Sequence, residues 1–152
     1  MMKVRKGFTL VELLIVIVII GILAAAMMLS SGSATAAAEA SNIISDLRSM
    51  KAAALMFYAD SMDDITTGLT LTVGYLAPYM DNPDKFTTSG SPYRFSADSD
   101  NKWFVGFHLA TKNDDVKKKL IGKARSTGLM DGMSLVNPYS NVSQPSVWMV
   151  AR

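Results

Sequence analysis

A long apolar segment with a single acid lies near the start of the chain. From Phe8 to Leu29 there are 22 residues, and Glu12 is the only charged one. An α-helix of this length covers about 33 Å, which is enough to cross a bilayer. An unpaired carboxylate costs roughly 2.5–3.5 kcal/mol at the centre of a membrane helix, so it persists where a partner offsets the cost. The segment therefore predicts a membrane helix in which Glu12 is paired.

Basic residues before the apolar segment predict its orientation. Lys3, Arg5 and Lys6 precede it, and positive residues at the end of a membrane helix stay on the cytoplasmic side. The C-terminal part of the chain is then outside. The segment is longer than the 7–15-residue core of an ordinary signal peptide. The alternative is such a signal peptide, cut near the alanines 24–26, which would give a soluble mature protein.

The residues around Glu12 carry a specific resemblance. The sequence Lys6-Gly7-Phe8-Thr9-Leu10-Val11-Glu12, followed by an apolar run that includes Ile20-Gly21-Ile22-Leu23-Ala24-Ala25, resembles the N-terminus of type IV pilin and pseudopilin precursors. The match is close over residues 5–29, and the rest of the chain resembles pilin headgroups in layout only. The resemblance implies that a prepilin peptidase cuts between Gly7 and Phe8 and that Phe8 is then N-methylated. It also implies that Glu12 pairs with the Phe8 amine of a neighbouring subunit in a filament.

The physical chemistry of Glu12 agrees with this interpretation. A cut after Gly7 would create a cationic amine at Phe8, four residues before Glu12 on the same helix face. In an apolar environment a free amine and a free carboxylate are each costly, and pairing offsets much of that cost. The alternative is that Glu12 reaches back to the lipid headgroup region without a partner.

The chain is predicted to have four parts. These are a leader peptide at 1–7, a transmembrane or filament-core helix at 8–29, a continuation of that helix at 30–61, and a globular headgroup at 62–152. Gly21 interrupts the apolar segment and fits either a packing notch for a neighbouring helix or a point where the helix loosens. The weak helix formers of 30–33 fit either a hinge or a bend.

One apolar stripe with helical spacing predicts that the helix continues to about residue 61. The stripe consists of Ala36, Ala40, Ile43, Leu47, Met50, Ala54 and Phe57. It should pack on a small antiparallel sheet, because candidate strands lie at 91–97, 102–109 and 146–151. A further helix is predicted from Asn113 or Asp114 through Thr127, with Gly128 as its C-cap. The predicted fold class is therefore α+β and pilin-like, with a sheet of about three strands.

The region between the long helix and the sheet, residues 62–91, is predicted to contain little regular structure. A helical turn over 74–80 should stop before Pro78, because proline disfavours helical backbone in the residue before it. In the second strand, Trp103, Val105, Phe107 and Leu109 should face the helix, and the alternate residues should face away.

Composition excludes several function classes. Loss of the leader would leave twelve basic and thirteen acidic side chains, so nothing favours nucleic-acid binding. The chain has no cysteine, which excludes disulfides and thiolate chemistry. The lone histidine, His108, is interpreted as a surface residue, and no catalytic motif, cofactor site or metal site is predicted. Asp98, Asp100 and Asn101 are interpreted as a polar turn, with a calcium site as the alternative.

The sequence thus predicts a non-enzymatic structural subunit of a type IV pilus or similar filament. The expected partners are further copies of the chain, the prepilin peptidase and the pilus assembly machinery of the inner membrane. The precursor should be a single-pass protein of the cytoplasmic membrane, and the product an extracellular filament or a periplasmic pseudopilus. Two alternatives are a type II secretion pseudopilin and a membrane-tethered binding module that does not polymerise.

Overall fold

The computed structural model describes residues 7–61, 71–98, 100–133 and 137–152, without the side chains of residues 29–31. The chain divides into two compact units, residues 1–35 and residues 36–152. We call the second one the headgroup unit. The first part of the predicted connecting region, residues 62–70, lies outside the described residues.

The long helix predicted at 8 to about 61 is confirmed. Helix α1 spans Leu10–Asp60, 51 residues. It is helical through residues 30–33, where the sequence allowed a hinge or a bend. The predicted stripe from Ala36 to Ala54 is buried, and Phe57 is half-buried against the same core. Apolar burial along this stripe is therefore what attaches α1 to the rest of the headgroup unit.

The sheet is antiparallel and has the order β1-β2-β4-β3. Its strands are β1 at Tyr93–Ala97, β2 at Trp103–His108, β3 at Leu129–Met130 and β4 at Ser146–Val150. The register places Phe95 opposite Val105 and Val105 opposite Met149. These three residues are buried in the core shared with α1. The α+β, pilin-like arrangement of a long helix on a small antiparallel sheet is thus confirmed.

The expectation that the second strand faces the core with one side only is wrong. All of β2 up to Phe107 is buried, and Phe104 on the second face is fully buried. Strand β2 lies between β1 and β4, so both of its edges are paired. On the second face, Trp148 of β4 lies opposite Gly106 in the register. The aromatic Phe104 at an outward position was the signal for this second buried face.

Gly106 is required by the close approach of Trp148. A Cβ atom at position 106 would lie 2.4 Å from Cε3 of Trp148, whereas one at Gly122 would meet nothing within 4 Å. We expect Gly106→Ala to lower the free energy of unfolding by about 1–3 kcal/mol through overpacking. The matched variant Gly122→Ala should raise it by about 0.5–1 kcal/mol, because alanine is the better helix former. Denaturant titration of the detergent-solubilised full chain measures the free energy of unfolding of both variants. Equal effects of the two substitutions would contradict the conclusion that Trp148 requires a glycine at position 106.

The predicted second helix is confirmed as α3, Asp114–Thr127. The Asn113 side chain accepts a hydrogen bond from the Val116 amide, 3.0 Å, and so caps the N-terminus. Gly128 ends the helix in the left-handed conformation with φ of 72°. Val116, Leu120 and Ala124 are buried on one face of this helix.

The connecting region contains two short helices that the sequence did not fully predict. A 3₁₀ helix spans Val73–Tyr79 and continues through Pro78, so the predicted stop before the proline is wrong. The φ of proline is compatible with 3₁₀ geometry, and the restriction on the preceding residue is a preference only. A one-turn helix, α2, spans Asp84–Thr87 and places Phe86 in the core.

Asp46 of α1 joins three elements of the headgroup unit. Its carboxylate accepts a hydrogen bond from the Tyr93 hydroxyl of β1 and one from Nζ of Lys85 in α2, 2.6 Å. Burial and the Asp46 carboxylate both raise the pKa of Tyr93. The buried hydroxyl of Tyr139, in contrast, has no hydrogen-bond partner among the described residues. Burial, with the charges of Asp131 and Asp114, raises the pKa of Tyr139 to about 12.

This contrast predicts opposite effects for two tyrosine-to-phenylalanine changes. We expect Tyr93→Phe to destabilise the protein by about 1–3 kcal/mol at pH 7, since it removes a hydrogen bond to a charged group. Tyr139→Phe should be neutral or slightly stabilising. Below about pH 10 the tyrosine is protonated in both the folded and the unfolded chain, so its raised pKa does not affect stability. As the pH rises from about 10 toward about 12, the unfolded chain loses a proton that the folded chain keeps, and the fold loses stability. Tyr139→Phe should therefore flatten the alkaline stability loss in denaturation curves; an unchanged slope would contradict this.

Candidate processing and assembly site

Residues 7–9, which precede α1, are exposed and not helical. Gly7 and Phe8 precede the helix, and Phe8 is 90% exposed. A Cβ atom at Gly7 would meet nothing within 4 Å. The local fold therefore does not require glycine at this position, and the bond between Gly7 and Phe8 lies in a segment that a protease can approach.

Thr9 and Glu12 form a reciprocal cap at the start of α1. The Thr9 amide donates to Oε2 of Glu12, 2.8 Å, and the Glu12 amide donates to Oγ1 of Thr9, 3.2 Å. The Thr9 hydroxyl also donates to Oε2, 2.7 Å. This is a capping box, in which a Thr and a Glu three residues later satisfy each other's backbone amides. Sequence reasoning assigned no role to Thr9, although the Thr-x-x-Glu spacing was the available signal.

The capping contacts use only part of the hydrogen-bonding capacity of the Glu12 carboxylate. Both bonds from Thr9 end on Oε2. An ionised carboxylate has two oxygens and about four lone-pair sites, so it can accept further donors. In the unassembled chain Thr9 thus holds the Glu12 carboxylate at the N-terminal end of the helix, where the helix dipole also favours negative charge. A cation from a second molecule can still bind it.

The apolar part of α1 has the composition of a membrane helix. Within the described residues, α1 is long and apolar enough to cross a membrane, with a mean hydropathy of 3.0 and none of the apolar window buried. Its large side chains from Leu10 to Leu23 are all more than half exposed. Such a surface requires lipid or other helices around it.

The predicted site residues lie at two places on this segment. Gly7 and Phe8 directly precede α1 and Glu12 lies in its first turn, while Gly21 lies nine residues after Glu12 along the helix. A Cβ atom at Gly21 would meet nothing within 4 Å. If Gly21 serves close packing, the neighbour must therefore come from another molecule.

The polar residues of the β1–β2 turn stabilise the turn, chiefly through hydrogen bonds to the Asp98 side chain. Oδ1 of Asp98 accepts the amides of Asp100 and Lys102, each at 2.9 Å, and Asn101 takes the left-handed conformation with φ of 56°. Across the described part of the chain, no group of three or more acidic or histidine side chains could hold a metal ion. His108 is half-buried, and its Nδ1 accepts the Ala110 amide, 3.4 Å.

Comparison with known proteins gives one match. Residues 2–28 match the prokaryotic N-terminal methylation motif. No curated protein and no solved structure matched the chain. The match is confined to this N-terminal segment. A motif of this kind indicates processing by a prepilin peptidase, as in pilin-like and pseudopilin precursors, which are structural proteins. Together with the apolar helix, it fits a precursor anchored in the inner membrane.

Proposed function

We propose that this protein is the structural subunit of a type IV pilus or pilus-like filament. The observation that supports this most strongly is the methylation motif at residues 2–28, which overlaps an apolar helix segment that is not buried by any of the described residues. A helix with apolar residues exposed all round is suited to lateral packing against identical helices. The filament would bury this surface in a bundle of α1 helices.

Processing supplies the charge that this assembly needs. Cleavage after Gly7 turns the Phe8 amide nitrogen into a cationic amine in an otherwise apolar bundle. Glu12 is the only charged side chain between Phe8 and Leu29, so it is the only acidic partner that this segment offers. Pairing between the Phe8 amine of one subunit and Glu12 of the next would offset the cost of burying both charges. The pair would also fix the axial offset between subunits.

The uncleaved precursor lacks this amine and stays in the membrane. Its Glu12 carboxylate is held by Thr9 within the same helix turn. Cleavage thus adds one donor to a site whose acceptor is already positioned. The same chemistry serves a surface pilus and a type II secretion pseudopilus, and the location of the fibres decides between these two assemblies.

N-terminal mass spectrometry combined with electron microscopy tests this proposal. We expect shed or sheared fibres that contain this protein beginning at N-methylated Phe8. Surface fibres under ordinary expression indicate a pilus, and short periplasmic fibres indicate a pseudopilus. A mature chain that begins at Met1 or near Ala26, or a processed chain that never forms fibres, would contradict the proposed function.

A further inference from the structure

A surface turn just before strand β4 contains the acceptor sequence for N-linked glycosylation. The residues Asn141-Val142-Ser143 have the form Asn-x-Ser, in which the middle residue is not proline. None of the other five asparagines of the chain is followed two residues later by Ser or Thr. Because a pattern of three residues also arises by chance, the exposure and the contacts of this turn decide whether it can act as an acceptor.

The two side-chain groups that a glycosyl transfer uses are exposed at this turn. Asn141 and Ser143 are exposed, and Val142 between them is half-buried. Oδ1 of Asn141 accepts the Ser143 amide, 2.9 Å, and the Asn141 carbonyl accepts the Gln144 amide, 3.2 Å. This Asx turn uses only the oxygen of the side-chain amide. Nδ2 of Asn141 and Oγ of Ser143 form no hydrogen bond with the described residues.

The turn is held to the headgroup unit at its two ends only. The amide of Ser140 donates to Oδ1 of Asp131, 2.9 Å, and the carbonyl of Pro145 accepts the Leu109 amide, 2.7 Å. Between these anchors, residues 141–144 form hydrogen bonds only with one another, as far as the described part of the chain shows. A transferase that draws the asparagine into its own active site can therefore bend this turn without breaking a hydrogen bond to the fold.

Two other asparagines provide an internal comparison. Asn82 and Asn137 are also exposed, but each is directly followed by a proline. Proline at this position fixes φ and removes the backbone amide, and the acceptor pattern excludes it. Exposure of an asparagine side chain alone therefore does not single out Asn141, whereas exposure together with the acceptor pattern does.

We propose that Asn141 is N-glycosylated and that the co-substrate is an oligosaccharide linked to a polyprenyl pyrophosphate. In this transfer Nδ2 of Asn141 attacks the anomeric carbon of the first sugar. A carbon–nitrogen bond forms while the bond from that carbon to the pyrophosphate oxygen breaks, and the lipid pyrophosphate leaves with the electron pair. The amide nitrogen gives one proton to a base of the transferase, so no oxidant or reductant is needed. The exposed hydroxyl of Ser143 is the group that the transferase recognises.

The inference needs the proposed membrane orientation but not the proposed filament. The basic residues at 3, 5 and 6 predict a headgroup unit outside the cytoplasm, where the acceptor turn would meet a transferase that faces the same side. An attached glycan is bulky and strongly hydrated, so it stays at the surface. The face of the headgroup unit that carries Asn141 would then remain free of contacts with other copies, also in an assembled fibre.

Peptide mass spectrometry of the full-length chain, purified from the membranes of its native cells, tests this site. Trypsin cuts after Arg125, and the following peptide, residues 126–152, contains the whole turn. We expect this peptide to be heavier by a whole number of sugar residues, with fragment ions that place the added mass on Asn141. Asn141→Gln and Ser143→Ala should each lower the glycosylated fraction about ten-fold or more, and Ser143→Thr should keep it, because a hydroxyl is retained. Asn137→Gln, in the same peptide, is the matched control and should leave the fraction unchanged.

The outcomes separate this inference from the proposed function. A wild-type chain without added mass on Asn141 would overturn the inference, as would a Ser143→Ala variant that is glycosylated at the wild-type level. Sugar found only on serine or threonine hydroxyls would overturn it as well. Glycosylated Asn141 in a processed chain that never forms fibres would support this site and contradict the filament, and fibres of unmodified chains would do the reverse.

Discussion

Glu12→Gln will be inserted into the membrane and processed normally but will give roughly a hundred-fold fewer filaments. Removal of one partner of a buried ion pair costs about 3–5 kcal/mol, because the other charge is left buried and unpaired. At 1.4 kcal/mol per factor of ten, this corresponds to a loss of about two to three and a half orders of magnitude in association, and the lower bound is the hundred-fold loss given above. The yield of sheared fibres, measured against the membrane-bound pool, gives the effect directly.

The glutamine variant is the sharpest choice because it separates charge from helix capping. Glutamine serves in a capping box as glutamate does, so the contacts with Thr9 are kept while the charge is lost. Glu12→Asp keeps the charge and should assemble better than Glu12→Gln. Glu39→Gln, which removes a glutamate from the headgroup part of the same helix, is the matched control and should assemble nearly normally. Equal fibre yields from wild type and Glu12→Gln would refute the pairing role.

Gly7→Val will block processing and will abolish filament formation. The structure leaves open space at a Cβ of Gly7, so the substitution should not disturb the fold. The expected defect is therefore one of recognition by the peptidase. Mass spectrometry should find the membrane-bound chain with its leader attached and with no methylated Phe8. Fibres should be absent, because without cleavage there is no free amine to pair with Glu12.

A matched glycine substitution controls for the loss of glycine itself. Gly21→Ala also adds a Cβ atom, which would meet none of the described residues within 4 Å, but it lies fourteen residues from Gly7 along the sequence. We expect it to be cleaved normally. Efficient cleavage of Gly7→Val, or loss of cleavage in Gly21→Ala, would contradict the assignment of Gly7 to the processing site.

The features that follow from local spacing could be predicted from the sequence. The long helix, its buried stripe from Ala36 to Ala54, and the capped helix α3 each depend on a repeat of three to four residues or on a cap at a fixed position. The strands β1, β2 and β4 alternate over five or six residues, which is also a local signal. These predictions are confirmed by the structure.

The features that depend on distant parts of the chain could not be predicted fully. Strand β3 contains only Leu129 and Met130, which is too short for any periodicity, and it forms because β4 offers a free edge. The burial of Phe104 on the second face of β2 depends on long-range packing. The 3₁₀ helix through Pro78 was excluded by a local rule that the tertiary contacts of Leu76 and Tyr79 override.

At the candidate processing site, the sequence pointed to Gly7, Phe8 and Glu12 but not to the contacts that Glu12 makes. Gly7, Phe8 and Glu12 were identified from the resemblance, and the motif match at residues 2–28 supports that resemblance. The capping box between Thr9 and Glu12 was not predicted, although the Thr-x-x-Glu spacing is present in the sequence. Helix capping and pairing with an amine are compatible roles of Glu12, since Thr9 uses only Oε2.

The most direct test of the whole account is a high-resolution map of the assembled fibre that resolves the N-terminus of each subunit. We predict that every subunit begins at N-methylated Phe8 and that its amine lies within hydrogen-bonding distance of the Glu12 carboxylate of an adjacent copy. A map in which residues 1–7 are still attached, or in which Glu12 lies far from every Phe8 amine, would contradict the account.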